Sequence, residues 1–250
     1  MAKIFTYATP PLLFRYRSIS GGKIARELEA INEKYIHCPS IDKLNDPMEG
    51  MHRLSSFFSK RSDSAKHHTI INSARQRLGI ASFSELLYDE PMWAHYTDQF
   101  QGICVAYNFR KLLAELDDEV HLVRMNYNDN APILLWGRGS VDQDARLTIS
   151  SKTSRWSYER EWRVISPTKG KTQYQLHNCV THVYLGSRLD SSDRKMVIKQ
   201  LESLNISVSE MKLDEYAINF GRVFVSIKSP VKPSRVKKVK TVQAVKPRSK

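Results

Sequence analysis

The stretch "GICVAYNF", Gly102–Phe109, is the most continuous apolar run in the middle of this chain, and its surroundings decide the fold class. Five residues without a charge, bounded by glycine and by the polar "NFRK", read as a buried strand. Before it, "PMWAHYTDQF" reads as a short helix opened near Pro91. After it, "RKLLAELDDE" reads as a helix and "VHLVRMNYN" as a strand. Farther out, "PPLLFRYRS", "YIHCPS", "GIASFSE", "YEREWRVIS", "HNCVTHVYLGS", "SVSEMKLD" and "RVFVSIK" carry strand patterns. "SGGKIARELEAINEKY", "DARLTISSKTSRW" and "SSDRKMVIKQLESL" carry helical ones. Several strands follow one another with no helix between them. That irregular alternation predicts an α+β fold of mostly antiparallel mixed sheets with flanking helices, not a doubly wound sheet.

The chain has 250 residues, 41% hydrophobic and 10% aromatic, enough for a core in one domain over residues 1–227. No run approaches the ~20 apolar residues of a membrane span. The amino terminus lacks the pattern of a secretory signal. Cys38, Cys104 and Cys179 form no close pair, so a reducing cytoplasm is the expected compartment. The net charge of +13 is unevenly placed, because Lys228–Lys250 holds nine positive charges and no acid, leaving +4 for the other 227 residues. Prolines among those lysines predict a disordered basic tail that contacts nucleic acid or another polyanion in a salt-sensitive way. A merely solubilising end is the plain alternative. No phosphate-binding glycine loop, zinc-protease helix, hydrolase elbow or calcium loop is present.

The densest segment is "RWSYEREWRV", Arg155–Val164. Read as a strand, it sends Trp156, Tyr158, Arg160, Trp162 and Val164 to one face. Ser157, Glu159, Glu161 and Arg163 go to the other. The second face carries two carboxylates about 7 Å apart along the strand. Two such groups repel and call for a cation or a hydroxyl-bearing ligand. The plain alternative is an exposed salt ladder, each pair worth under ~1 kcal/mol.

Four other stretches stand out: "FRYRS" (14–18), "LNDPMEG" (44–50), "ASFSE" (81–85) and "MWAHYTDQFQGICVAY" (92–107). Taken in order with "WSYEREWRV", they resemble a bacterial family of uncharacterised proteins, DUF2971. That family has an early Tyr-Arg strand, Phe-Asn-Asp-Pro-Phe-Glu, a serine strand, Met-Trp-x-x-Tyr and a late Trp-x-Tyr-Glu-x-Glu-x-Arg. Here the second motif has Leu44 and Met48 where the family has phenylalanine. The resemblance implies no established activity.

The late Glu-x-Glu also looks like the catalytic turn of ADP-ribosyltransferases. This second resemblance implies Arg15 or Arg17 as an anchor for NAD on the first strand. It implies Ser82 or Ser84 shaping a nicotinamide pocket, and Glu159 or Glu161 stabilising an oxocarbenium-like transition state. The Ser-x-Ser element departs from that family's Ser-Thr-Ser. The two glutamates are expected within a strand, where that family often has a loop first. Such a reaction needs positioning and a well-placed negative charge.

Each motif also has a plain reading. Arg15 and Arg17, flanking Tyr16, would be a solvated strand face, or a phosphate or carboxylate clamp. Asn45-Asp46-Pro47 would be a turn, or would put Asn45 or Glu49 beside a ligand. Met92, Trp93 and Tyr96 would pack on the sheet, or Trp93 or Tyr96 would stack on a base with His95 at a phosphate. Two other classes stay open: a non-catalytic nucleic-acid- or protein-binding module, and a metal-dependent nuclease using Asp46, Glu49, Glu159 and Glu161.

Overall fold

Ile103–Asn108 runs through the interior of an eight-stranded sheet, with all but its last residue buried. The computed structural model describes residues 9–135, 137, 139–175 and 179–224. The basic tail, Lys228–Lys250, expected to be disordered, lies outside the described residues. The chain opens with β1 (Leu12–Arg17), α1 (Ile24–Asn32), β2 (Tyr35–Cys38), β3 (Arg53–Leu54), α2 (Ser56–Ser59) and α3 (Ser64–Arg77). It continues through β4 (Gly79–Ser84), α4 (Glu90–Tyr96), β5 (Ile103–Asn108), α5 (Phe109–Glu115), β6 (His121–Arg124), β7 (Asn126–Tyr127) and β8 (Ile133–Leu134). Then come α6 (Val141–Ile149), β9 (Ser151–Lys152), β10 (Glu161–Ser166), β11 (Gly170–Gln173), β12 (Val180–Leu185), α7 (Ser191–Ser203), β13 (Ser207–Asp214) and β14 (Ala217–Phe224).

The main sheet has the order β14-β13-β12-β5-β1-β4-β10-β6. Only β12 and β13 pair in parallel; its other pairs are antiparallel. The fold is α+β, a large mixed sheet with flanking helices.

Side chains alternate between the two faces. One face turns Leu13, Phe83, Val105, Trp162, Val164 and Val183 into the main core. There α1 adds Ile24, Leu28 and Ile31, and α7 adds Val197 and Leu201. The opposite face is covered in two places. At its centre α4 lays Met92 and Trp93 on Phe14, Tyr16 and Cys104. Near the end of β4 and β10, α3 and α6 lay Ala74, Ala145 and Ile149 on Ile80 and Ile165. The capping residues match the chemistry of helix starts. Asp89 accepts from the Met92 amide, Asn108 from Lys111, and Ser140 with Gln143 forms a reciprocal capping box.

Two expectations are corrected. The helix expected over "DARLTISSKTSRW" ends at Ile149, and the chain then forms β9 and a 3₁₀ turn over Ser154–Glu159. The strand expected from Tyr158 begins only at Glu161. Between them Arg160 takes a left-handed conformation, φ 44°. Such a residue breaks strand geometry at a local cost of about 1–3 kcal/mol. Ser157 and Glu159 therefore do not share a strand face with Glu161 and Arg163.

Candidate functional site

Strands β1 and β4 are neighbours in the sheet, yet one residue pair joins them, Phe14 opposite Ser84. Beyond that pair they part. Between them, bounded by α4 and by the loop after β2, lies a cleft of about 800 Å³ including its open mouth. Its floor is Phe14, Tyr16, Ile80, Ser82 and Ser84, and its rim carries Pro39, Lys43, Leu44 and Asn45. Tyr96, Lys152, Glu159 and Glu161 close one end, while Arg15 and Arg17 line the gap between the strands.

The acidic end is built by the turn that broke the expected strand. The Ser84 hydroxyl donates to the Glu159 carbonyl at 2.7 Å and accepts from the Leu86 amide at 2.9 Å, pinning the turn to β4. The Glu161 amide donates to the Tyr127 hydroxyl at 2.8 Å. With Arg160 reversing the chain between them, both carboxylates converge on one ammonium. Lys152 Nζ lies 2.7 Å from Glu159 Oε2, 3.5 Å from Glu161 Oε2 and 3.7 Å from Glu49 Oε1. It also sits 4.4 Å from the centre of the Trp156 ring. Arg163 holds Glu161 at 2.7 Å and grips both oxygens of Glu49.

These five groups are almost wholly buried. Three carboxylates meet two cations, so one negative charge is uncompensated. The partners divide unequally. Glu49 and Glu161 share the guanidinium, whose forked donors suit carboxylates. Glu159 has the ammonium, plus the Tyr96 hydroxyl at 2.5 Å. Burial, with the Glu161 charge, raises the Glu159 carboxyl above its ordinary value despite Lys152. Burial opposes ionisation of Glu161 too, but Arg163 and Lys152 outweigh it and hold that carboxyl below its usual range. Tyr96 is fixed from its other side by the Asn45 side-chain amide at 2.9 Å. Burial and the neighbouring carboxylates push its hydroxyl far above its ordinary value, so it stays a donor.

The basic end is different in kind. Arg15 is 6% exposed, and its Nη2 donates to the His37 carbonyl at 2.6 Å. Its guanidinium lies over the Phe83 ring at 5.6 Å. Among the described residues no carboxylate lies within ion-pair distance of it. Burial, then Arg17, lowers its affinity for its proton. Arg17 pairs with Glu27 at 2.5 Å, and its Nε is buried with no hydrogen-bond partner among the described residues. The reading of Arg15 and Arg17 as a solvated face is corrected: Arg15 is buried with its guanidinium on a carbonyl of β2, and Arg17 is half-buried against Glu27.

The cleft thus gathers Arg15, Tyr16, Arg17, Asn45, Ser82, Ser84, Tyr96, Glu159 and Glu161. Five other candidates stand elsewhere. Trp93 is fully buried, with its indole N–H on the Leu87 carbonyl, so it cannot stack on a ligand. His95, on the same helix, is exposed and outside the cleft lining. Asp46 caps its own turn by accepting from the Met48 amide, 2.9 Å away. Arg163, itself gripped by Glu49, lies behind the cleft and holds Glu161. Tyr16 lines the floor, but its hydroxyl is spent on the Leu86 and Leu87 carbonyls. The nuclease arrangement is corrected as well. Among the described residues these carboxylates form no group that could hold a metal ion, and the Lys152 ammonium lies between the three glutamates.

Sequence reading missed Lys152 and Tyr127. A lysine in "ISSKTS" and a tyrosine in "NYND" carry no periodic signal. Only the two-residue parallel pairing of β7 with β9 brings them beside the glutamates.

Residues 92–164, from Met92 in α4 to Val164 in β10, match a family model described as "Protein of unknown function (DUF2971)". The resemblance to that family therefore holds over the stretch carrying Tyr96, Lys152, Glu159 and Glu161. No curated protein and no solved structure matches the chain.

Proposed function

We propose that the cleft binds a nucleotide of the NAD type and breaks its nicotinamide–ribose bond, passing the ADP-ribosyl group to a macromolecule. The observation that carries this reading is the polarity of one cleft: at one end Glu159, in a cluster of three carboxylates on two cations, and at the other the guanidinium of Arg15, which has no carboxylate partner among the described residues. Nicotinamide departs with the bonding electron pair and leaves positive charge on the ribose. A fixed negative charge in a water-poor site stabilises that developing charge without reorganising. A diphosphate suits Arg15 and Arg17, since guanidinium groups present forked donors to phosphate. Ser82, exposed on the cleft floor, offers a hydroxyl to the ribose or the amide. The acceptor then attacks the ribose carbon and gives up a proton.

Glu159 is the group placed to touch the reacting ribose. Glu161 and Lys152 position it. Cleavage would take place in the cytoplasm, consistent with the free, buried thiols of Cys38, Cys104 and Cys179.

The test is incubation of the full chain with NAD, followed by chromatography for nicotinamide. Glu159→Gln should slow release by about 100-fold or more. Release that is equally fast in Glu159→Gln and Glu161→Gln removes the reading. Binding of NAD by calorimetry without any release would instead make the cleft a recognition pocket.

A further inference from the structure

The loop after β2 serves two openings. Asn45 lines the cleft, and Asp46, the next residue, lines a second cavity of about 610 Å³ including its open mouth. Lys152 lines both, and Glu49 lines only the second, so the two cavities meet at the acidic cluster. Asp46 is 4% exposed. Its Oδ1 accepts from the Met48 amide at 2.9 Å, and among the described residues nothing donates to its Oδ2. Among the described residues no Lys, Arg or His lies within ion-pair distance of it. With Asp46 included, four buried carboxylates, Asp46, Glu49, Glu159 and Glu161, stand on two buried cations, Lys152 and Arg163. Charges this deep are ordinarily paired. The cluster is therefore short of a cation, and the carboxylate without one opens on a cavity.

We propose that this second cavity binds a primary alkylammonium group, the end of a lysine side chain or of a free diamine, with Asp46 as its counter-ion. The free acceptor sets the shape of the cation. Asp46 offers one oxygen, because the other is spent on the Met48 amide. A guanidinium uses two parallel oxygens, as Arg163 does on Glu49, whereas an ammonium is a point charge that one oxygen can hold. An ammonium also has three donors and no acceptor, so it needs further oxygens. The exposed side chains of Asn128 and Asn130 supply them at the mouth. The rest of the wall suits a methylene stem. Met48 and Met51 are exposed there beside Pro132, and thioether side chains adapt to an alkyl chain. A metal ion does not fit as well, since the described residues bring together no group of three carboxylate, imidazole or thiol ligands. The inference is independent of the chemistry in the cleft.

The experiment is calorimetry on the full chain at low ionic strength, with cadaverine, Nα-acetyl-lysine amide and Nα-acetyl-arginine amide as probes. At least one of the two amines should bind, about tenfold or more tighter than the arginine probe. A tighter lysine probe makes a polypeptide the source of the ammonium, and a tighter cadaverine makes it a free amine; either supports the site. Asp46→Asn keeps an oxygen for the Met48 amide and removes the charge, so it should weaken amine binding about tenfold or more, the worth of one charged hydrogen bond. Met51→Lys, at an exposed position on the wall, brings a competing ammonium and should do the same without disturbing the turn. Should Asp46→Asn fail to fold, Met51→Lys decides alone. Absence of binding by both amines would overturn the proposal. So would an arginine probe that binds as tightly as the amines, or undiminished amine binding in either folded variant.

Discussion

Arg163 closes a two-pronged ion pair on Glu49, a residue 114 positions earlier, with Nη2 2.6 Å from Oε1 and Nη1 2.9 Å from Oε2. The pair ties the loop after β2 to the strand that begins with Glu161. It makes the cleft a product of two distant segments. Since Arg163 also holds Glu161 and the Ile149 carbonyl, it is the anchor of the whole acidic end.

Removing one partner should therefore be costly. Glu49→Ala leaves a buried guanidinium short of one carboxylate and should destabilise the fold by about 3–5 kcal/mol. Urea unfolding followed by tryptophan fluorescence measures this. A loss under ~1 kcal/mol would mean that water replaces the carboxylate and the pair is no anchor.

Lys152→Met should give a stability defect that depends on pH. Without the ammonium, Glu159 loses its main opposing charge in a buried site, and its folded-state pKa, already raised, rises further above the unfolded one. A carboxyl raised in this way binds its proton more tightly in the folded state. Stability is then retained in acid and lost as pH rises through the ordinary carboxylate range toward the raised value. The gap between variant and parent should be wider at pH 8 than at pH 5. An equal gap at both would show that Lys152 does not compensate the glutamates.

Tyr96→Phe separates position from charge. The hydroxyl donates to Glu159 and favours its anion, against the upward push of burial. Nicotinamide release that depends on ionised Glu159 should rise with pH through a midpoint above the ordinary carboxylate value. Tyr96→Phe should move that midpoint higher still while the rate at high pH changes less. A profile that keeps its midpoint in the variant would exclude Glu159 as the titrating group.

Gly102→Ala tests the join between β5 and β1. A methyl group at Gly102 would run into the Arg17 carbonyl and the Thr97 side chain. Backbone cannot yield as a flexible side chain can, so a loss of about 1–3 kcal/mol is expected in thermal unfolding. The same change at Gly137, where nothing lies near but φ is +70°, should cost about 1 kcal/mol, from backbone strain alone. A Gly102 variant no less stable than the Gly137 one would put the contact in doubt.

Much of the architecture was legible before any coordinates. "GICVAYNF" is a buried strand because eight residues with no charge and no helical period can hardly be anything else. The strands "LLFRYR" and "SVSEMKLD" stand where their patterns put them. The short helix expected near Pro91 also forms, as Glu90–Tyr96, capped by Asp89 through a side-chain oxygen that accepts from the Met92 amide. The motif set also pointed to the segments that meet at the cleft.

What the sequence by itself determined about this protein is its class of fold, the order of its elements, the uneven charge and the segments that carry unusual chemistry. These depend on composition and short-range periodicity, which each segment holds within itself. The tertiary structure alone decided the rest. "WSYEREWRV" alternates as a strand would, yet its first half is a 3₁₀ turn, because Ser84 captures the Glu159 carbonyl and Lys152 draws both carboxylates inward. Trp93, read either as packing on the sheet or as stacking on a ligand, is core, and Lys152, which no motif singled out, is buried among the glutamates. In each case the partner is remote or lies in an irregular segment. No periodic pattern along the chain encodes a charge balance that exists only after distant strands have met.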